Sequence, residues 1–139
     1  MTTALLDVNA LVALAWNRHI HHAAMLRWFD TAPGRAWATC PVTEAGFVRV
    51  SANARAVGAA LSPADARSVL TGLRADAGHR FLANDVSMVD ELVPPVTGHR
   101  QVTDALLLAV ARRHGVPLVT FDSALAGLGR EGEVEVLRA

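Results

Sequence analysis

An α/β fold, with a mainly parallel central sheet of about five strands flanked by helices, is the architecture this sequence predicts. Three observations predict it. Short apolar runs recur along the chain, each is followed by a stretch with helical spacing, and Gly, Pro, Ser or Asp punctuates the handovers. Strands that alternate with helices form βαβ units, whose crossovers make neighbouring strands parallel.

The elements follow in order. Ala4, Leu5 and Leu6 form a short apolar strand, and a helical pattern then runs through Leu11, Leu14 and Ala15 to Trp16. Residues 20–29 place Ala24, Leu26, Trp28 and Phe29 at helical spacing and stop at the Pro33-Gly34 turn. Residues 35–39 read as the second strand, and Pro41 opens a helix through Phe47 and Val50. Ser62-Pro63 is a helix start, with proline in the first turn and Asp65 close behind. That helix reaches about Arg74. A third strand covers 79–82, and a short helix is expected over 85–92, stopped by Pro94-Pro95. The strongest helical pattern is 102–114, with Gly115 as its stop signal. Residues 116–121 are a strand, 123–128 a short helix and 134–137 a last strand. No repeat, low-complexity segment or linker divides residues 1–139, so one domain is expected.

Composition narrows the chemistry. At 139 residues the chain can bury roughly two-thirds of its unfolded surface, and 52% hydrophobic content fits a packed core. No apolar run approaches the ~18 residues that cross a bilayer, and the first residues lack the basic segment and cleavage site of a signal peptide. With one cysteine, Cys40, there is no internal disulfide and no paired-cysteine metal clip. A cytoplasmic protein with no membrane partner is the expectation. All 13 basic residues are arginine, and none is lysine. Chemistry that needs a lysine is thereby excluded: P-loop hydrolysis, Schiff bases and receiver-type phosphotransfer. Net charge is zero, so any affinity for nucleic acid must come from a local arginine patch.

Four acids carry the functional signal. Asp7, Glu44, Asp104 and Asp122 each sit where an apolar run meets a helix. Each has an ordinary explanation, since Asp caps helices and a carboxylate in a first turn gains ~0.3–1 kcal/mol from the helix dipole. In a parallel sheet, however, the carboxyl ends of strands and the amino ends of following helices share one edge. The four would then crowd into one crevice, where like charges repel unless a cation compensates. An oxygen-only set suits Mg2+ or Mn2+, and the chemistry that follows is metal-assisted hydrolysis of a phosphodiester. Asn9, Thr103, Thr120 and Ser123 flank the acids and could orient carboxylates or hold waters. Asp85 meets the same positional criterion and is not separated from the four by spacing alone.

At these residues the chain resembles PIN-domain ribonucleases of the VapC type, toxins of VapBC toxin–antitoxin pairs. The matching pieces are Leu5-Leu6-Asp7-Val8-Asn9, Thr43-Glu44, Val102-Thr103-Asp104 and Val119-Thr120-Phe121-Asp122, in order across essentially the whole chain. The resemblance implies a single PIN-like domain and a Mg2+-dependent (Mn2+ possible) endoribonuclease. Asp7, Glu44, Asp104 and Asp122 would be its catalytic and metal-binding residues, and Asp85 would have no such role. It also implies an RNA substrate, a homodimer, and a cognate VapB-like antitoxin whose tail lies in a groove along the first helices. Leu11, Leu14, Trp16, Trp28 and Phe47 would line that groove, although their spacing by itself says only that they are buried, and core packing is the commoner role of such residues. The competing expectation is a degenerate PIN-like module that binds RNA or a partner without cutting. A haloacid-dehalogenase-like phosphatase would want an aspartate where Asn9 stands, and a lysine as well. A G-x-S-x-G elbow and a glycine-rich nucleotide loop are absent.

The remaining polar residues are less specific. His19, His21 and His22 cluster ahead of the second helix, and His19 with His22 has the i,i+3 spacing to share a face. A solvated or RNA-facing helix end is favoured over a zinc site, because no Cys or acid stands nearby. Arg49, Arg55, Arg100, Arg112 and Arg113 are candidates for an RNA path, guanidinium groups being suited to phosphate. Cys40 is expected to be a buried small hydrophobe.

Overall fold

The computed structural model describes residues 3–31, 35–53 and 61–138. Arg55 and the Pro33-Gly34 turn lie outside them. The elements run β1 (Ala4–Leu6), α1 (Val8–Ala15), α2 (His22–Asp30), β2 (Trp37–Thr39), α3 (Pro41–Ser51), α4 (Pro63–Arg74) and β3 (His79–Phe81). A 3-10 turn (His99–Gln101) then leads into α5 (Val102–His114), β4 (Leu118–Thr120), α6 (Ser123–Ala126) and β5 (Val134–Val136).

All four strand pairings are parallel and the order is β3-β2-β1-β4-β5. The α/β expectation holds, and every predicted strand is present, the first with its expected bounds and the other four shortened. Period-2 alternation sorts the strand residues onto two faces. Ala4, Leu6, Trp37 and Val119 pack under α1 to α4 with Leu11, Met25, Trp28 and Phe47. Leu5, Ala38 and Leu118 face the other way, towards Leu107, Val110 and Leu125 of α5 and α6. β1, β2 and β4 are buried throughout, as strands covered on both faces must be.

Local chemistry sets the boundaries. Ser62 Oγ accepts from the Asp65 N–H at 3.0 Å while the Asp65 carboxylate accepts from the Ser62 N–H at 3.3 Å, a reciprocal cap. Gly115 ends α5 with φ 65°, a left-handed geometry a β-carbon disfavours. Gly46 matters for another reason: a β-carbon there would overlap the Val8 side chain, so glycine lets α3 approach the start of α1.

Two sequence expectations fail. Residues 85–92 form turns rather than a helix, because side chains satisfy the backbone in its place. Ser87 Oγ accepts from the Val89 N–H at 3.2 Å, and Asp90 Oδ1 accepts from the Leu92 N–H at 2.9 Å. The expected groove lining is also different. Leu11 and Phe47 are fully buried, Trp28 nearly so, and Trp16 stacks on Phe47 with centroids 6.4 Å apart. These are core residues, since their spacing points them at the sheet. The apolar hollow on this side, about 510 Å3, keeps Leu14 of that set and is otherwise lined by Leu26, Phe29, Trp37 and Leu73.

Candidate active site

The strand order reverses between β1 and β4. From β1 the chain crosses to β2 on one side, and from α5 it enters β4 on the other. Parallel sheets open a crevice at such a switch point, beyond the carboxyl ends of the strands. Asp7 follows β1, Asp122 lies two residues beyond β4, and Asp104 lies in the first turn of α5. All three line one cleft of about 350 Å3, together with Asn9, His19, Arg49 and Thr103.

Thr120 ties the cleft together. Its hydroxyl donates to Asp7 Oδ2 at 2.7 Å and accepts from the Asp122 N–H at 3.0 Å. The residue is fully buried, so both partners are fixed relative to β4. Asp7 Oδ1 also accepts from the Val8 N–H at 2.7 Å, and Asp122 Oδ1 from the Ala124 N–H at 2.9 Å. The ordinary capping roles are therefore real. They do not account for burial of Asp7 to 9% exposure, since a cap works equally well in water.

Electrostatics marks two of the three, Asp7 and Asp104. Burial raises the Asp7 carboxyl above its usual range, against hydrogen bonds from Thr120 and Val8 that lower it, and the Asp122 charge adds to the rise. Asp104 is pushed up to about 6, by burial first and then by the charges of Asp7 and Asp122. Mutual repulsion of this kind is what a divalent cation relieves. Asn9 Oδ1, in the same cleft, is buried with no hydrogen-bond partner. Three carboxylates and an unpartnered amide oxygen are hard donors, and the set fits Mg2+ or Mn2+ better than a softer metal. Among the described residues, no three acids, histidines or cysteines stand close enough, as they are, to hold an ion.

Glu44 is placed differently. It occupies the first turn of α3, beyond β2, and does not line the cleft. Thr39 Oγ1 donates to its Oε2 at 2.6 Å, and Arg74 Nη1 reaches Oε1 at 3.3 Å. With its hydrogen directed at Glu44, Thr39 Oγ1 lies 2.8 Å from His79 Nε2 and accepts from it in the tautomer protonated there. Asp85 is exposed and pairs weakly with Arg113 at 4.0 Å, away from the cleft.

Of the flanking residues, Asn9 and Thr103 line the cleft, Thr120 braces it, and Ser123 is exposed outside its lining. His22 Nδ1 bonds the Ala13 carbonyl at 2.7 Å, and His19 Nδ1 accepts from the His21 N–H at 3.0 Å. The His21 ring stacks on Phe121 at 4.2 Å. The histidine turn is thus packed against the strand end that carries Asp122, with His19 facing the cleft. Sequence reasoning missed the bracing of Glu44 by Arg74 and His79. It also missed Arg67, whose signal is a polar face on α4 at positions 67, 68 and 71.

Residues 4–131 match the PIN domain family, and the chain belongs to it. It is 61% identical over 128 residues to Ribonuclease VapC38 of Mycobacterium tuberculosis (strain ATCC 25618 / H37Rv), spanning 92% of this chain and 91% of that one. Ribonuclease VapC39 of the same strain is 47% identical over 138 residues, spanning 97% and 99%. These relatives bear out the VapC-type resemblance carried by the acidic motifs. Among solved structures, Mycobacterium tuberculosis VapC20, a sarcin-ricin loop cleaving toxin, superposes with a TM-score of 0.63. It covers 97% of this chain and 99% of its own at 16% identity, a likeness of fold.

Proposed function

We infer that this chain is a metal-dependent endoribonuclease, the toxin component of a type II toxin–antitoxin pair, cleaving RNA phosphodiester bonds by hydrolysis. One observation carries the chemistry: Asp7, Asp104 and Asp122 line the switch-point cleft together, and burial and mutual repulsion raise Asp7 and Asp104. The VapC ribonucleases that share up to 61% of its sequence support the substrate class.

Asp7, Asp104 and Asp122 would hold a Mg2+ or Mn2+ ion, with Asn9 as a further oxygen donor or water ligand. Glu44 belongs to the same set by sequence position, and its carboxylate must leave Arg74 and Thr39 to take part. When bound, the ion supplies Lewis acidity towards a phosphate oxygen and makes a coordinated water more acidic. The protein's own contribution is positional. Thr120 fixes the Asp7 carboxylate and the backbone of Asp122, and Asp104 is held by the amino end of α5. A VapB-like antitoxin is the proposed partner, its apolar segment lying in the hollow of Leu14, Leu26, Phe29, Trp37 and Leu73. A homodimer and a cytoplasmic site of action go with this reading. No helix among the described residues is long and apolar enough to cross a membrane.

The test is cleavage of total cellular RNA by the purified protein with Mg2+, Mn2+ or EDTA, beside Asp104→Asn. Discrete fragments that need metal and vanish in the mutant are expected. A folded, antitoxin-free protein that binds RNA and cuts none under any condition would establish the degenerate binding module in its place.

A further inference from the structure

Building on the ribonuclease reading, we propose that Arg49 and Arg67 form a backbone-binding track that leads RNA out of the acidic cleft across α3 and α4.

Continuity is the first observation. Arg49 lines the cleft of Asp7, Asp104 and Asp122, and it also lines an adjoining hollow with Arg67, Glu44 and Val48. Arg67 continues into a second hollow of about 410 Å3 with Ser68, Thr71 and Arg74. Helical geometry explains the alignment: 44, 45, 48 and 49 share a face of α3, and 64, 67, 68 and 71 share a face of α4. Three depressions thus join end to end, and an arginine stands at each junction.

Charge balance is the second. Arg112 is tied to Glu133 by a two-toothed bridge at 2.9 Å and to the Leu92 carbonyl at 2.8 Å. Arg113 pairs with Asp90 at 3.2 Å, and Arg74 with Glu44 at 3.3 Å. Among the described residues, the ion pairs include neither Arg49 nor Arg67, and both side chains are exposed. The chain is neutral overall, so this pair is a local positive field rather than part of a general one. Glu44, which stands between them, has its charge met by Arg74.

The partner follows from the cleft. A phosphodiester reacting among the three acids must bring its neighbouring phosphates past the rim, where Arg49 stands. Guanidinium groups pair with phosphate oxygens without reading sequence. The track therefore serves affinity and register, and base choice lies elsewhere. Of the arginines named from sequence that lie among the described residues, only Arg49 lies on this track.

The experiment is binding of a labelled single-stranded RNA of mixed sequence to the full chain in EDTA, across a salt series. Arg49→Gln and Arg67→Gln are each expected to weaken binding by about 3- to 10-fold at low salt. Each should also flatten the logarithmic salt slope by about 0.7, the value for one lost phosphate contact on a single strand. Arg113→Gln should leave both unchanged, and Glu44→Gln, which releases Arg74, should tighten binding. Thermal melts of these exposed variants are expected to match wild type. Unchanged affinity and slope in both track variants, with wild type binding well, overturns the track and leaves the ribonuclease reading intact. Loss of capture of an acidic polypeptide in place of RNA also overturns it and assigns the arginines to a protein partner. A wild-type protein that neither binds nor cuts RNA removes the reading on which the track rests.

Discussion

Two groups of acids on the same sheet edge meet opposite fates. At the β1/β4 switch point, Asp7, Asp104 and Asp122 line one cleft, and burial and repulsion raise Asp7 and Asp104. One strand away, Glu44 has the same position at the front of a helix. There Arg74, Thr39 and, through Thr39, His79 meet its charge. The difference teaches that occupying the strand-end edge brings an acid near the site, while its partners decide whether its charge remains available. An acid left uncompensated in a buried cleft costs stability, and the cost is sensible where a cation is to be bound.

The most direct way to break the contrast is to remove one uncompensated acid. Asp104→Asn should lower RNA cleavage by about 10^3-fold or more while leaving the fold intact; gel analysis of RNA fragments checks it. Thr120→Val comes next. It keeps the shape and deletes the hydroxyl that joins Asp7 to Asp122, so cleavage should fall ~10- to 100-fold. Stability should fall by about 1–3 kcal/mol, because the buried Asp7 carboxylate loses a donor and the part-buried Asp122 N–H its acceptor; urea melts and kcat give the two numbers.

A steric change sharpens the contrast without touching charge. Gly46→Ala forces the start of α1 away from α3 and should destabilise by about 1–3 kcal/mol, read as a lower urea midpoint. A smaller effect comes from pH. The folded Asp104 carboxyl lies near 6, above its ordinary 3.8, so its contribution to stability is full below 3.8 and is lost as pH rises through 6. Asp104→Asn in EDTA should therefore melt about 3 °C above wild type at pH 7.5. That advantage should disappear near pH 4, which calorimetry at both pH values would show. The smallest effect is Arg74→Gln. Its bridge to Glu44 is partly exposed and should change stability by no more than about 1 kcal/mol.

Much of this was legible in the sequence because it depends on local pattern. The helix at 102–114, its glycine stop and the Ser62 cap follow from periodicity and capping chemistry, and the strand-to-helix handovers located the acids. Long-range partnership was not legible. Thr120 lies 113 positions from Asp7, and Arg74 lies 30 from Glu44. No spacing rule links them. The missing helix at 85–92 shows the same limit on a small scale, since Ser87 and Asp90 could equally have faced solvent from a helix. Trp28 and Phe47 had the periodicity of buried residues, and burial is what they do; a groove needed the shape of the packed surface.

Mn2+ binding measured by calorimetry on wild type, Asp7→Asn, Asp104→Asn, Asp122→Asn and Glu44→Gln tests the division between the two acidic groups. The three cleft variants are expected to weaken binding by about 10-fold or more, with Glu44→Gln weakening it less. Equal or greater loss in Glu44→Gln, with binding retained in Asp104→Asn, would contradict the division and move the metal centre to the α3 side of the edge.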